Sequence, residues 1–221
     1  MPDVSQYLDR FEFWPHLSEN EVARINQNTI IKKFPAGSLI FDSVSECLGF
    51  VYIVKGGLRT YMMSDEGREV TLYRLSTGDC CVLAASCVIK EISFDCFITA
   101  ETDTELLIIN PPTASSIKAQ NIYFRSFIYE MAAQRFSAAM KTMDNLLFLK
   151  LEGRLASFLV GEYERTGIIE IRMTHEQVAQ YINSAREVVA RTLKRFSQDG
   201  LVEIKRGVIK LLDVDGLKEF Y

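Results

Sequence analysis

The chain has 221 residues, 48% hydrophobic and 24% charged, with a formal net charge of −4. That length and balance fit one or two globular domains and exclude a disordered or fibrous chain. No apolar run reaches the ~18 residues of a membrane-spanning helix, and the opening MPDVSQYLDRFEFWPHL is acidic and aromatic where an export signal is basic and then apolar. The expectation is a cytoplasmic protein without a membrane partner, whose five cysteines stay reduced.

From Ile30 to Asn110 short strands follow one another, broken by glycines: FPAGSLIF, FVYIVKGGLRTYMM, EVTLYRLSTGD, CFITAE and TELLIIN. Such a run predicts a barrel or sandwich. In LRTYMM, Leu58, Thr60 and Met62 alternate with Arg59, Tyr61 and Met63, the period of a half-buried strand. SDEGRE reads as a hairpin with Gly67 in a left-handed position. None of the glycines opens a phosphate loop, because no helical pattern follows them.

Pro111 and Pro112 read as a stop, after which the period turns helical from about Ile122 to Leu151. One apolar comb on this helix is Phe124, Ile128, Met131, Ala138, Asn145 and Leu149, and a second is Phe136, Met140, Met143 and Leu147. A helix apolar on two sides is expected to pack on its own barrel with one face and on a second copy of itself with the other. Gly153 opens a segment of shorter helices, giving expected domains at 1–119 and 151–221 with the long helix, 120–150, between them.

The charge is uneven. From Arg172 to Lys210 there are eight Lys and Arg against four acids, whereas the first 150 residues hold 14 basic and 18 acidic side chains. The basic segment begins with Thr174 as a helix N-cap and Gln177 three residues on, a capping-box pattern. Val178, Ala179 and Ile182 form the inward face of that helix, and Asn183 and Ser184 make a short turn. A second helix from about Ala185 buries Val188, Val189, Leu193 and Phe196. After Gly200, LVEI and VIKLL read as a two-stranded wing. Arg186, Glu187 and Arg191 lie in the first turns of the second helix, the part that enters a major groove in helix-turn-helix proteins. Arg can grip guanine and Glu can accept from the cytosine amino group, so these three are the candidate base readers. Thr174, Ser184, Lys194, Lys205 and Arg206 are the candidate phosphate contacts.

The strand-rich first part, the long helix and the winged helix-turn-helix together resemble the CRP/FNR family of bacterial transcription regulators over nearly the whole chain. YIVKGGLRTYMMSDEGREVTLYRLSTGD is similar to the family's β-roll, NLLFLKLEGRLASFL to the end of its dimer helix and hinge, and SAREVVARTLKR to its recognition helix. The resemblance implies an α+β chain: an N-terminal double-stranded β-helix, jelly-roll-like and of the cyclic-nucleotide-binding type, a long dimerisation helix, and a C-terminal winged helix-turn-helix domain. It implies a homodimer on palindromic double-stranded DNA, an effector in the roll, and RNA polymerase as a partner. The dimer-helix candidates are Phe124, Ile128, Met131, Phe136, Ala139, Met143 and Leu146.

The effector is not implied by the resemblance. Where the family's cyclic-nucleotide members carry a Gly-Glu pair and an Arg-Ser pair, this sequence has Val82 and Leu83, then Phe94 and Asp95, and the base-facing hydroxyls are replaced by Ala139 and Met140. Cyclic AMP is therefore not expected, since a carboxylate repels a phosphate. Ala84 and Val82 replace the axial ligands of the family's haem sensor, and no cysteine cluster precedes Cys47 for an iron-sulfur centre. Cys80, Cys81, Cys87 and Cys96 fit no common zinc spacing and are expected to pack as small hydrophobes. His16 and His175 are expected to face solvent. No cofactor or metal is expected; the effector, an uncharged or aromatic small molecule, is placed among Val82, Leu83, Cys87, Ala139, Met140 and Met143. No constellation of nucleophile and base suggests an enzyme. The alternative is a cyclic-nucleotide-domain-like regulatory module acting through protein contacts.

Overall fold

The computed structural model describes residues 4–42, 47–81 and 95–221. The N-terminal segment forms α1 (Ser5–Leu8), a 3-10 turn (Trp14–His16) and α2 (Glu19–Gln27). Elements of one or two turns carry too little periodicity to be read from sequence. The entry to α2 is closed reciprocally: the Glu21 N–H donates to the Ser18 hydroxyl, and the Ser18 N–H donates to the Glu21 carboxylate at 2.7 Å.

Among the described residues eight strands follow: β1 (Thr29–Phe34), β2 (Leu39–Phe41), β3 (Phe50–Lys55), β4 (Gly57–Met63), β5 (Glu69–Ser76), β6 (Cys80–Cys81), β7 (Phe97–Ala100) and β8 (Thr104–Ile109). They form two four-stranded sheets, ordered β1-β8-β3-β6 and β2-β7-β4-β5. Val51, Ile53, Leu106 and Ile108 meet Leu58, Leu75, Ile98 and Ala100 in an inner core. Their alternates Phe50, Tyr52, Leu107 and Ile109 pack instead against the N-terminal helices and the long helix. With both faces covered, β3 and β8 read as nearly unbroken apolar runs, since alternation survives only where one face meets water. The Ser64–Arg68 turn closes β4 onto β5, with Gly67 at φ +78° as expected.

The proline pair does not act as a stop. Pro111 and Pro112 begin α3 (Pro111–Gln120), where the absent N–H has no intrahelical role, and the Asn110 side chain accepts from the Thr113 N–H at 3.0 Å. Next comes α4 (Ile122–Phe148), whose first turn is tied by Asn121, accepting from the Phe124 N–H at 3.0 Å and donating to the His16 carbonyl at 2.8 Å. This helix ends at Phe148, short of the expected Leu151, because Lys150 is extended and serves as the N-cap of α5 (Leu151–Thr166).

Two compact units result: residues 1–68 with 72–139, and residues 69–71 with 140–221. Besides α5 the second contains β9 (Glu170–Ile171), α6 (His175–Tyr181), α7 (Arg186–Gln198), β10 (Val202–Lys205), β11 (Val208–Leu211) and α8 (Val214–Lys218). Leu155, Leu159, Val178, Val189, Leu193, Phe196, Val202, Ile209 and Leu217 form its core. The wing sheet has three strands, ordered β10-β11-β9, rather than the expected two. A two-residue strand shows no alternation, so β9 is defined only by its partner. Close packing of α5 requires Gly153, where a Cβ would come within 2.7 Å of the Phe220 carbonyl.

Candidate nucleic-acid interface and effector site

In the second unit, Thr174 caps α6 as the sequence predicts: its hydroxyl accepts from the Gln177 N–H at 3.2 Å, and the Gln177 side chain accepts from the Thr174 N–H at 2.8 Å. The chain then turns through Asn183, whose φ of +56° is left-handed, a conformation that Asn tolerates better than most residues. The Ser184 N–H donates to the Ala179 carbonyl at 2.9 Å. With Ala185 at its N-cap, α7 buries Val189, Thr192, Leu193 and Phe196. Arg186, Glu187, Arg191 and Lys194 remain exposed on its other side. Burial of the apolar comb therefore fixes which side of α7 presents charge.

The first turn of α7 borders a groove of about 590 Å³ that also runs along α6 and the wing. Thr174, Arg186, Lys205 and Arg206 line it together. Lys205 pairs with Glu203 at 3.1 Å on the exposed wing, and the β10–β11 turn passes through Gly207 at φ +73°. Arg191 and Lys194 lie farther along α7 and Ser184 sits half-buried in the turn, outside the groove lining. His175, expected merely to face solvent, is half-buried and lines the groove. The signal for it in the sequence is its place directly after the capping residue Thr174.

The two combs of α4 have different fates. Phe124, Ile128 and Met131 are buried in the chain's own core, which corrects their assignment to the dimer face: the N-terminal aromatics Phe11 and Phe13 and strand residue Phe50 already cover that side. By contrast Phe136 is 67% and Leu147 68% exposed, as are, to a lesser degree, Tyr129, Met140 and Met143. Ala139 is half-buried against the inner core and Leu146 is half-buried.

Inside the first unit the sheet interior is not wholly apolar. Thr60 is fully buried and Tyr73 nearly so, and among the described residues neither hydroxyl completes a hydrogen bond although the two side chains adjoin. Burial pushes the Tyr73 phenol above its ordinary range, with Cys81 adding to the effect and Arg135 opposing it. Arg135 of α4 lies 5.9 Å from the Tyr73 ring centre and pairs with Asp79 at 3.1 Å. Neither Tyr73 nor Arg135 stands out in the sequence, because a polar group inside a roll looks like any outward polar residue until the strands are paired. Of the expected effector residues, Val82, Leu83 and Cys87 lie outside the described residues, as does Phe94, while Asp95, Met140 and Met143 are exposed.

Cys80 and Cys81 point to opposite faces of β6, into the outer and inner cores respectively. Burial is the main reason the Cys80 thiol is pushed up, and it raises the Cys96 thiol to about 12. Both stay protonated, the unreactive form. Cys47, however, is disulfide-bonded, which corrects the expectation that all the thiols are reduced. Pairing requires two Cα atoms within about 7 Å, a tertiary distance that a cysteine count does not supply. Among the described residues no cluster of His, Cys, Asp and Glu is arranged to hold a metal ion, and no helix is long and apolar enough to cross a membrane.

A two-sheet roll, a long helix and a winged helix-turn-helix are the parts of a regulator that carries a ligand-binding-type domain and a DNA-binding one. Residues 31–121 match the cyclic nucleotide-binding domain and residues 153–220 the Crp-like helix-turn-helix domain. A crystal structure described as a transcriptional regulator of the CRP/FNR family from Eubacterium rectale is 37% identical, with a TM-score of 0.86 over 97% of this chain and 98% of that one. The chain belongs to the CRP/FNR family and is a DNA-binding transcription regulator with a cyclic-nucleotide-binding-like domain. It is 25% identical to the cAMP-activated global transcriptional regulator CRP of Escherichia coli O6:H1 over 78% of this chain and 84% of that protein. It is 23% identical to the transcriptional regulatory protein btr of Bordetella pertussis over 90% of this chain and 85% of that protein. Regulators of this family bind DNA and dimerise.

Proposed function

We propose that two copies pair in parallel through α4, and that the paired α7 helices read a palindrome whose half-sites lie about one helical turn, ~34 Å, apart. Tyr129, Ala133, Phe136, Met140, Met143 and Leu147 are all exposed and are spaced alternately by four and three residues, the seam of a coiled coil. A second copy of the same helix is the occupant that matches such a seam. In each half-site Arg186 and Arg191 grip guanines and Glu187 accepts from a cytosine amino group, while Thr174, Ser184, Lys194, Lys205 and Arg206 hold phosphates. The observation that carries this reading is the exposure of Arg186, Glu187 and Arg191 on the side of α7 opposite its buried comb. RNA polymerase is the expected protein partner by family membership, and the activity is binding rather than catalysis.

Selection from random duplexes tests the base readers. The wild type should recover a palindrome with G·C-rich half-sites, and replacing Arg186, Glu187 or Arg191 by Ala should relax one base pair each, at about 1–3 kcal/mol. An asymmetric motif, or one unchanged in all three variants, would leave these side chains as a solvated helix face.

The effector is a small molecule other than cyclic AMP, seated in the roll interior near Thr60, Tyr73 and Ala139. Support comes from the two buried hydroxyls that no described residue satisfies and from the arrangement of Ala139 against the inner core. Calorimetry with cyclic AMP should show no saturable binding at low-micromolar concentration. A saturable isotherm there overturns this assignment.

A further inference from the structure

We propose that the effector of this protein is a carboxylate, its oxygens accepting from Arg135 and Tyr73 and its apolar body lying against the inner core of the roll; the proposal rests on the roll interior being the effector site.

Three polar groups from three elements are sealed from solvent without completing a hydrogen bond among the described residues: the Thr60 hydroxyl of β4, the Tyr73 hydroxyl of β5 and the Arg135 Nε of α4. Buried polar groups are nearly always paired, so three neighbouring exceptions mark a partner from outside the chain. All three can donate, and a guanidinium can do nothing else. Burial pushes the Tyr73 phenol above its ordinary range, so at neutral pH it keeps its proton and is a donor too. The guanidinium carbon lies 5.9 Å from the Tyr73 ring centre, and the Thr60 and Tyr73 side chains adjoin, so one small acceptor can meet them together.

Among the described residues the acids of this unit that approach these elements are already engaged. Asp79 accepts from Arg135 at 3.1 Å and from the Ser76 N–H at 2.8 Å, and Glu101, directly after β7, accepts from Arg74 at 2.7 Å. Asp95 is exposed. Arg135 also lines a cleft of about 390 Å³ between the N-terminal segment and α4, where the other charged groups are Arg10 and the carboxylates of Glu12, Asp79 and Glu130. Three carboxylates against two guanidinium groups disfavour an anion in that cleft. Toward Tyr73, by contrast, the donors stand beside Leu58, Leu75 and Ile98, and Ala139 packs against the same core. Hydrogen bonds to an ionised acceptor are roughly twice as strong as neutral ones, and a carboxylate has two oxygens to divide between Arg135 and the hydroxyl pair. The apolar neighbours suit a compact hydrocarbon body on that headgroup.

Benzoate and its neutral isostere benzamide are the probes, titrated into the full chain by calorimetry at about pH 7, where benzoate is ionised. Wild type should bind one benzoate per chain and prefer it to benzamide by about tenfold. R135Q should bind the two compounds alike, R135K should restore part of the preference, and Y73F should weaken benzoate several-fold. Thermal melts without ligand show which variants are folded, and where R135Q is not, R135K and Y73F decide. Benzoate binding that is unchanged in Y73F and in the folded Arg135 variants puts the anion elsewhere and overturns the proposal. Equal wild-type affinity for both compounds, with Y73F weakening both, overturns the carboxylate but leaves the roll interior as the site. Absence of saturable binding by either compound defeats the proposal together with the roll interior as a site for a compact apolar ligand.

Discussion

Replacing Phe136 and Met143 together by Glu is expected to turn dimers into monomers and to weaken binding to a palindromic duplex by about 10²–10⁴-fold. Both side chains lie on the exposed seam of α4, and neither belongs to a buried core, so the folded monomer should survive the change. The loss comes from two sources. Carboxylates placed opposite their own copies repel, and the second half-site is no longer bound at the high effective concentration that a linked partner provides. Sedimentation velocity at micromolar concentration reads the first effect, and titration of whole and half palindromes reads the second. Affinity for an isolated half-site should be nearly unchanged. A double variant that stays dimeric, with whole-site affinity intact, would show that the seam faces something other than a second copy.

Phe196→Ala should destabilise the DNA-binding unit by about 3–5 kcal/mol, the range for removing a fully buried aromatic side chain. Phe196 is completely buried at the centre of that unit's core, with its ring 4.9 Å from that of Phe220. It also lies on the comb that turns the charged side of α7 outward, so duplex binding should fall along with stability. Lys194→Ala, on the exposed side of the same helix, should change stability by no more than about 0.5 kcal/mol. Urea unfolding of the two variants checks the contrast. A Phe196→Ala protein as stable as Lys194→Ala would mean that the helix is not held by this core.

Much of the candidate DNA interface is legible in the sequence, because its information is local. Thr174 and Gln177 are three residues apart, so their reciprocal hydrogen bonds follow from spacing alone. The periodicity of Val189, Leu193 and Phe196 within one helix fixes where Arg186, Glu187 and Arg191 must point. The left-handed Gly67 is readable for the same reason, whereas the half-buried alternation expected of β4 is not found: Leu58 to Tyr61 are all buried, and Met62 and Met63 are both exposed, because the strand is covered on both faces until its end. Several other features depend on residues far apart in the chain. His175 acquires its surroundings from the wing, some 30 residues later, and β9 is a strand only because β11 pairs with it. On α4, periodicity shows two apolar faces but does not say which is already covered. Phe124, Ile128 and Met131 go to the interior because Phe11, Phe13 and Phe50 meet them there. Thr60 and Tyr73 become interior polar groups through strand pairing, and Cys47 finds a disulfide through proximity that no count of cysteines expresses. The succession of strand-rich part, long helix and helix-turn-helix, and the charged side of α7, are thus written in the amino-acid order, since each rests on short-range periodicity or capping, and the family is legible there as a resemblance of motifs. Which apolar face stays open, and which polar groups meet one another, is settled by the packed fold alone, because burial is a property of what lies opposite a residue.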